Sequence, residues 1–234
     1  IAVKPVNVID GYIYCGANQC INTGVSETKV YGLDIKFQLP GTQTENSLYL
    51  FSGTADNGTI ANYNGHYYLR WHNVDAGFCF GKNNFASTDV HVITATATDS
   101  SCVATYDDLT TNLTSKTSGS FGTGGKTVLM GDAWNGSAFK ARNMYAKWYY
   151  AKLYDADGDA LIDLVPALTN NVAVFYDTVS HTYFGKSGSS ASALTYSGDV
   201  VATNYTLAVS AAMTSATTST WTGEGETALL SDSG

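Results

Sequence analysis

The sequence predicts an all-β protein whose strands form a β-sandwich or a barrel. Runs such as "VYGLDIKFQL", "DVHVITATAT" and "VAVFYD" are short and rich in β-branched and aromatic residues, and clusters of Gly, Asn, Asp and Ser separate them. Many runs alternate apolar with polar residues, which is typical of a sheet with one buried face. No segment keeps a 3.6-residue period. About ten such runs in one chain favour a sandwich or barrel.

The runs follow one another without an internal repeat until Lys186, where the composition changes. Residues 187–234 contain no Lys or Arg and are dominated by Ser, Thr, Ala and Gly. Within them "TNYTLAVSAAM" still alternates and is predicted to be a closing strand, whereas "TGEGETALLSDSG" has the composition of an extended tail. We therefore predict one β-domain over residues 1–210 and a tail or linker over residues 211–234.

Composition is typical of an extracellular, cell-surface or virion protein. Charged residues make up 14% of the 234 residues, so the surface is expected to consist mostly of Ser, Thr, Asn, Gly and Tyr. A net charge of -8, with Arg70 and Arg142 as the arginines, argues against a nucleic-acid partner, because phosphate contacts need clustered Lys and Arg. No apolar run approaches the roughly 18 residues of a membrane span, so membrane insertion is not expected.

The chain has four cysteines, Cys15, Cys20, Cys79 and Cys102, which allow three pairings. No CxxC is present, and the scattered cysteines and histidines do not form a zinc signature. Cys15 and Cys20 flank the short loop "GANQ", so a hairpin there would bring them within disulfide reach. Two buried free thiols are the alternative, because free Cys is a common core residue.

Two stretches carry a family resemblance. The first, "YIYCGANQCINTGV" (residues 12–25), resembles the "YIeStGtQyIdTGi" opening strand pair of concanavalin A-like, laminin-G-like jelly-roll domains of bacterial surface and phage structural proteins. The matching positions are Tyr12, Ile13, Gln19, Ile21, Thr23 and Gly24. Cys15 and Cys20 stand where that pattern has Ser and Tyr, and a paired replacement of this kind favours the disulfide.

The second stretch begins at "WYYAKLYDADGDALIDLVPAL" and is similar to the closing segment of the same domains. The matching positions are Lys152, Tyr154, Asp155, Asp163, Pro166, Tyr176, Asp177 and Tyr183. The resemblance spans residues 12–190 and implies a concanavalin A-like jelly-roll sandwich of two antiparallel sheets. It says little about function, because this fold hosts lectins, glycosidases and purely structural modules.

Three alternating aspartates in "DADGD" suggest a calcium loop at first sight. An EF-hand-type loop starting at Asp155 needs Gly at its sixth position and Glu at its twelfth, where this chain has Ala160 and Pro166. Asp157–Gly158 instead lies between two apolar runs, where Asp-Gly is a strong hairpin signal. We therefore expect a turn and no cofactor; a surface calcium ion at Asp157 and Asp159 is the less favoured alternative.

Catalysis is not expected. A glycosidase on this fold needs two carboxylates close together on a sheet face, as in an E-x-D-x-E strand. The glutamates are Glu27, Glu45, Glu224 and Glu226, and none lies in such a strand. The chain also lacks a recognisable nucleophile and base. A glycoside hydrolase is therefore the least favoured of the functions considered.

Two non-enzymatic functions fit the sequence. The first is a surface-exposed binding or adhesion module on a phage particle or bacterial surface, recognising carbohydrate or a receptor; the chain's 16 tyrosines and four tryptophans supply rings for stacking on sugars. The second is a purely structural assembly subunit, a virion decoration or fibre protein without a ligand. The charge-poor surface and the tail favour this alternative, with self-association or other structural proteins as partners.

Alternation in two aromatic runs suggests ligand-binding residues. In "HYYLRWHNV" it places Tyr68, Arg70 and His72 opposite a more apolar face. In "KWYYAKLYD" it buries Tyr149 and leaves Trp148 and Tyr150 on the other face, which is either an exposed aromatic platform or the inner face of a second sheet. Turn residues flank Trp134 in "GDAWNGSAF", which makes it a further exposed candidate.

Overall fold

The computed structural model describes thirteen segments of the chain. Their residues are 5–16, 19–39, 48–52, 59–63, 66–71, 74–80, 88–98, 101–114, 126–129, 145–187, 192–205, 222–223 and 226–227. Backbone pairing alone is described for 48–52, 59–63, 66–71, 74–80, 109–114, 126, 128, 222–223 and 226–227.

Most of the described residues lie in β-strands, and one short 3₁₀ helix is present among them. The strands, in chain order, are β1 (Val6–Cys15), β2 (Ile21–Ser26), β3 (Gly32–Gln38), β4 (Leu48–Ser52), β5 (Thr59–Tyr63), β6 (His66–Trp71), β7 (Val74–Phe80), β8 (Val90–Ala97), β9 (Ser101–Tyr106), β10 (Leu109–Thr114), β11 (Lys126–Leu129), β12 (Ala146–Tyr154), β13 (Ala160–Thr169), β14 (Val172–Asp177), β15 (Thr182–Phe184), β16 (Thr195–Thr203), β17 (Thr222–Gly223) and β18 (Glu226–Thr227). The 3₁₀ helix spans Glu27–Lys29. The prediction of an all-β protein is confirmed.

The strands form antiparallel sheets. The larger sheet has ten strands, in the order β10-β9-β8-β3-β12-β1-β13-β14-β15, with β16 paired to β1. A six-stranded sheet has the order β2-β11-β4-β5-β6-β7, and β17 pairs with β18. Successive strands pair as neighbours from β4 to β7 and from β8 to β10, which is the pattern of short antiparallel connections.

Strands β1, β12 and β13 form a three-way junction in which each pairs with the other two. The end of β1 pairs with the start of β12, the end of β12 with the start of β13, and the end of β13 with the start of β1. Each strand carries a feature that permits a bend: Gly11 in β1, a register shift at Tyr149 in β12, and Pro166 in β13. The junction therefore brings segments that are distant in the sequence to the middle of one sheet.

One apolar core lies against the inner face of the ten-stranded sheet. Its largest fully buried side chains are Trp148, Phe37, Phe175, Ile13, Ile21, Leu33, Ile35 and Leu39. Ile21 and Leu129 of the six-stranded sheet belong to the same cluster, so both sheets contribute to it. Burial alternates along β3 and β8, as their sequences predict. The opposite, outer face of the ten-stranded sheet carries the polar residues of these strands.

The "DADGD" segment is a hairpin turn between β12 and β13, and this prediction is confirmed. Oδ1 of Asp155 accepts hydrogen bonds from the backbone N–H groups of Asp157 at 3.0 Å and Asp159 at 2.9 Å. Gly158 has φ = 85°, a left-handed conformation that glycine adopts without strain. The first aspartate of the series therefore holds the turn together.

The predicted boundary between a domain and a tail at residue 210 lies outside the described residues. Beyond Tyr205 the structure describes β17 and β18, which pair as a short hairpin. In the described ranges no helix has the length and apolar character needed to cross a bilayer. The domain division stays a prediction.

Candidate functional site

The outer face of the ten-stranded sheet carries an open groove of about 530 Å³ next to the three-way junction. We call it the Tyr150 groove. It is lined by Asp34, Tyr150, Lys152, Asp163, Val165, Thr178 and Tyr205. Its volume falls in the range of small-molecule sites, roughly 300–1,000 Å³. Strands β3, β12 and β13 supply the floor, so regular sheet pairing fixes the positions of the side chains.

Pairing of the three strands sets a row of charged groups across the groove. Asp34 lies opposite Lys152, and Lys152 lies opposite Asp163. Lys152 Nζ forms an ion pair with Asp163 Oδ2 at 3.1 Å. The hydroxyl of Tyr150 donates a hydrogen bond to Asp34 Oδ1 at 3.0 Å. Each carboxylate of the row is thereby held in place by a neighbour on β12.

Asp163 keeps one oxygen without a partner. Its Oδ1 atom is buried and accepts no hydrogen bond from any described residue. Its backbone N–H donates to Oδ1 of the buried Asp177 at 2.8 Å, which fixes the strand at this point. Buried polar atoms in folded proteins nearly always have a hydrogen-bond partner, so an unpaired carboxylate oxygen in a groove calls for a donor. A buried water molecule has the size to supply it, whereas a ligand hydroxyl in the groove meets the partly exposed atoms of the Lys152–Asp163 pair.

The pKa values of two tyrosines and one lysine in the groove are raised. Burial raises the pKa of Tyr150, and its hydrogen bond to Asp34 raises the pKa further. Burial raises the pKa of Tyr205 as well, with a contribution from Asp163. Burial alone would lower the pKa of Lys152, but the hydrogen bond and charge of Asp163 raise it overall. The groove therefore presents neutral phenols beside an ammonium group at neutral pH.

Tyr205 forms one wall of the groove from outside the sheet. Its ring lies 5.2 Å from the ring of Tyr176, at an interplanar angle of 38°. Tyr205 packs there against a small second cluster on the outer face, made of Val6, Ala167, Val174 and Tyr176. The segment after β16 is thus anchored across β13 and β14, and it places a second aromatic ring near the Lys152–Asp163 pair.

The sequence-predicted residues Trp148 and Tyr150 lie on opposite faces of β12. Tyr150 lines the groove, whereas Trp148 is fully buried and packs against Phe37, with ring centroids 6.2 Å apart. The placement of Trp148 on an exposed platform with Tyr150 is therefore wrong. The register with β3 shifts between Trp148 and Tyr150, so Tyr149 is an inserted residue and the alternation reverses there. For the same reason Tyr149 is half-buried and not a core residue.

The other sequence-predicted ligand residues are not brought to this groove by any described contact. Tyr68 and Arg70 lie in β6, in the six-stranded sheet, where their backbones pair with Ala61 and Thr59 of β5. His72 and Trp134 lie outside the described residues. A role in binding for these four residues stays a prediction.

Cys15 and Cys20 both have buried side chains, and the structure holds them as free thiols. Burial raises the pKa of Cys20 to about 11. Burial also raises the pKa of Cys15, and the nearby Cys20 thiol raises it further, which places the two sulfurs in one local environment. The predicted disulfide would therefore join two neighbouring thiols, those of Cys15 and Cys20. It stays a prediction.

A metal site is not formed by the described residues. No group of three or more His, Cys, Asp or Glu side chains is placed within them to hold an ion. Asp157 and Asp159 are exposed on the hairpin turn, and their backbone N–H groups bind the Asp155 carboxylate. The turn itself is observed, and the expectation that it binds no calcium stays a prediction.

Sequence reasoning missed Asp34 and Tyr205 as groove residues. Alternation in "GLDIKFQ" places Asp34 on the polar face of β3, but it does not reveal that Lys152 lies opposite. Tyr205 follows the last long strand, and nothing local predicts that it packs on β13 and β14. Both positions depend on long-range pairing, which a single sequence does not display.

Protein families and curated proteins offer no further constraint on this site. Comparison of the chain with models of protein families gives no match, and comparison with curated proteins gives none either. The functional argument therefore rests on the geometry of the groove and on the residues around it.

Proposed function

We propose that this chain is a non-enzymatic carbohydrate-binding module, exposed on a phage particle or bacterial surface, with the Tyr150 groove as its binding site. The observation that carries the proposal is the partly exposed Lys152–Asp163 ion pair, which lines one open groove together with the rings of Tyr150 and Tyr205. Sugars present hydroxyl donors and acceptors at their edges and C–H groups on their faces. Carboxylate, ammonium and phenol groups complement that chemistry.

The proposed fold is a concanavalin A-like jelly-roll sandwich, in which the two larger sheets cover the shared core. Support comes from the two resembling stretches, whose residues occupy structural positions. Gln19 is buried and its side-chain amide donates to the backbone oxygens of Ser192 at 3.0 Å and Ala193 at 3.3 Å. Thr23 is buried and hydrogen-bonds the backbone oxygen of Thr127 at 3.0 Å. These contacts join the opening strand pair to distant segments.

The test is a glycan array followed by calorimetric titration of the best ligand. Asp163→Asn removes the charge that Lys152 pairs with and replaces the carboxylate acceptor by an amide. We expect it to lower affinity at least about tenfold, as for loss of a hydrogen bond to a charged group. Tyr150→Ala removes a ring and should lower affinity to a similar extent. Tyr196→Ala is the matched control, because Tyr196 is an exposed tyrosine on β16, away from the groove residues.

Three results would count against the proposal. No binding to any glycan on a broad array would leave the groove without a function. Equal losses of affinity in Tyr150→Ala and Tyr196→Ala would place the site elsewhere. Hydrolysis of a bound glycan would favour the glycoside hydrolase alternative, in which Asp34 and Asp163 act as the carboxylates.

A second candidate function, a structural assembly subunit, is favoured by β16. This strand pairs with β1 and, in the described part of the chain, with nothing on its other edge. Tyr196, Val200 and Val201 are each more than two-fifths exposed, at 43%, 45% and 49%. An exposed apolar edge strand is a template for pairing with another chain. Sedimentation analysis tests this function: association that Val200→Lys abolishes supports it, and a monomer at high concentration contradicts it.

A further inference from the structure

We propose that the Tyr150 groove is one end of a longer binding surface, and that the ligand along this surface is an acidic oligosaccharide. The inference rests on the proposed carbohydrate-binding function and adds the charge class of the sugar. Its basis is a second group of residues on the same face, which we call the Tyr149 cluster. The cluster consists of Tyr12, Lys36, Lys147 and Tyr149.

In the Tyr149 cluster two tyrosine rings contact each other, and each ring also contacts a lysine ammonium group. The rings of Tyr12 and Tyr149 meet edge to face, with centroids 5.7 Å apart and planes at 60°. Lys147 Nζ lies 4.8 Å from the centroid of the Tyr12 ring, and Lys36 Nζ lies 5.4 Å from that of Tyr149. Both distances are within the range of cation–π contacts. The rings hold the two ammonium groups in place without neutralising their charge.

The cluster and the groove are continuous along β12. Lys36 of the cluster lies directly opposite Tyr150 of the groove. Lys152 Nζ in turn lies 5.8 Å from the centroid of the Tyr150 ring, so the pattern of a lysine over a tyrosine repeats in the groove. The segment from Lys147 to Lys152 contains the inserted Tyr149 and pairs with the four steps from Gln38 to Asp34, which span about 13 Å at roughly 3.3 Å per residue. That length suits a short chain of sugar rings rather than a single one.

The two lysines of the cluster are the uncompensated charges of this surface. Lys152 pairs with Asp163, but neither Lys36 nor Lys147 forms an ion pair with a carboxylate among the residues that the structure describes. The chain as a whole carries a net charge of -8, so two unpaired ammonium groups on one sheet face are unusual for it. Such groups attract an anion to this end of the surface.

The two ends of the surface therefore differ in the sign of their charged side chains. Asp34 and Asp163 at the groove end suit neutral hydroxyl groups and disfavour a ligand carboxylate, whereas Lys36 and Lys147 at the other end suit a carboxylate. The tyrosine rings of both parts offer apolar faces for the C–H groups of the sugar rings. An oligosaccharide that contains uronic acids combines these features: hydroxyl groups, apolar ring faces and negative charge.

The probe is an oligogalacturonate, compared with its methyl ester, which keeps the sugar rings and removes the charge. We expect the wild-type protein to bind the acid at least about tenfold more tightly than the ester, with the preference decreasing as salt is added. Lys36→Gln and Lys147→Gln should each lower affinity for the acid about two- to fivefold and leave affinity for the ester unchanged. Lys29→Gln is the matched control, because Lys29 is exposed on the 3₁₀ helix, away from this face.

The outcomes separate this inference from the function on which it rests. Equal affinity for the acid and the ester, with both weakened by Tyr150→Ala, would overturn the acidic-ligand inference and support the carbohydrate site. Tighter binding of inorganic polyphosphate than of the oligogalacturonate would overturn the inference, because charge alone would then suffice. Binding of neither sugar would overturn it also, and a negative result on a broad neutral glycan array would separately reject the carbohydrate site.

Discussion

The buried carboxylate of Asp177 accepts a hydrogen bond from the backbone N–H of Asp163 at 2.8 Å and so holds Asp163 in place. The same carboxylate accepts hydrogen bonds from the backbone N–H groups of Val179 at 3.2 Å and Ser180 at 3.1 Å. One side chain therefore closes the turn after β14 and fixes the strand that carries the unpaired groove oxygen. Stability and ligand geometry are coupled at this residue.

We predict that Asp177→Ala lowers both stability and ligand affinity. The substitution leaves the partly buried backbone N–H groups of Asp163, Val179 and Ser180 without their acceptor, so the free energy of unfolding should fall by about 2–4 kcal/mol. Urea denaturation measures this loss. Asp157→Ala is the control, because Asp157 is exposed on the hairpin turn, and its change should stay within about 0.5 kcal/mol. Similar stabilities for the two variants would show that Asp177 does not anchor the turn.

We predict that Gly11→Ala strongly destabilises the sheet. Gly11 pairs with Gly198 between β1 and β16, and a Cβ atom at Gly11 would overlap the backbone oxygen of Ser197. Because the obstacle is backbone, relief requires the strands to separate, at a cost of about 2 kcal/mol or more. Thermal denaturation of the variant measures the effect.

Gly185→Ala provides the control for that substitution. A Cβ atom at Gly185 has no neighbour within 4 Å, and its backbone does not require the left-handed region. Its effect should be small, or slightly stabilising through the unfolded chain. Equal melting temperatures for Gly11→Ala and Gly185→Ala would mean that β16 does not approach β1 as closely as described.

Substitutions on β12 distinguish its two faces. Trp148→Ala empties a fully buried site and should lower the free energy of unfolding by about 3–5 kcal/mol. Tyr150→Ala, two positions later, should cost about 1 kcal/mol or less while reducing ligand binding. Paired measurements of unfolding and binding test the reversal of alternation at Tyr149. A larger loss of stability in Tyr150→Ala than in Trp148→Ala would contradict it.

Under reducing conditions we predict that stability decreases at alkaline pH. The pKa of Cys20 rises from 9.0 in an exposed thiol to about 11 in the folded protein, so the folded state favours the neutral thiol. This contribution is complete below pH 9, where both states are protonated, and it is lost as the pH rises toward 11. Two pKa units correspond to at most about 2–3 kcal/mol. Urea denaturation at pH 8 and pH 11 measures the decrease, which should be smaller in Cys20→Ala.

Without reductant, the predicted Cys15–Cys20 disulfide should remove the thiol contribution to this alkaline loss. Peptide mass spectrometry of the non-reduced protein should identify one cross-linked peptide containing both residues. Two separately alkylated cysteines after denaturation in the absence of reductant would rule out the disulfide. The pH dependence of the reduced protein is expected in either case.

Local patterns in the sequence predicted a large part of the architecture. Alternation in β3 and β8 correctly separates buried from outer residues, because each strand has one face on the core. The Asp157–Gly158 turn was also predictable, since glycine at that position relieves backbone strain. These features depend on neighbours in the chain, which a sequence displays directly.

The groove was only partly predictable, for two physical reasons. The inserted residue at Tyr149 reverses the inside–outside pattern of β12, and in "WYY" three aromatic residues in succession conceal the reversal. The row of Asp34, Lys152 and Asp163 depends on which strands become neighbours, and the sequence does not reveal that. Tyr150 was predicted to face a ligand, and it lines the groove, although the alternation used to place it also misplaced Trp148.

The central position of β1 has a consequence for biosynthesis. Its partners β12, β13 and β16 lie between residues 146 and 203, so the pairing of β1 cannot be completed until residue 203 has been translated. At roughly 5–20 residues per second, β1 waits about 10–40 seconds for its last partner after it is made. During that interval the apolar side chains of Ile9 and Ile13 lack their final neighbours on the nascent chain. A cell that makes this protein therefore has to protect β1 from aggregation until β16 has been translated.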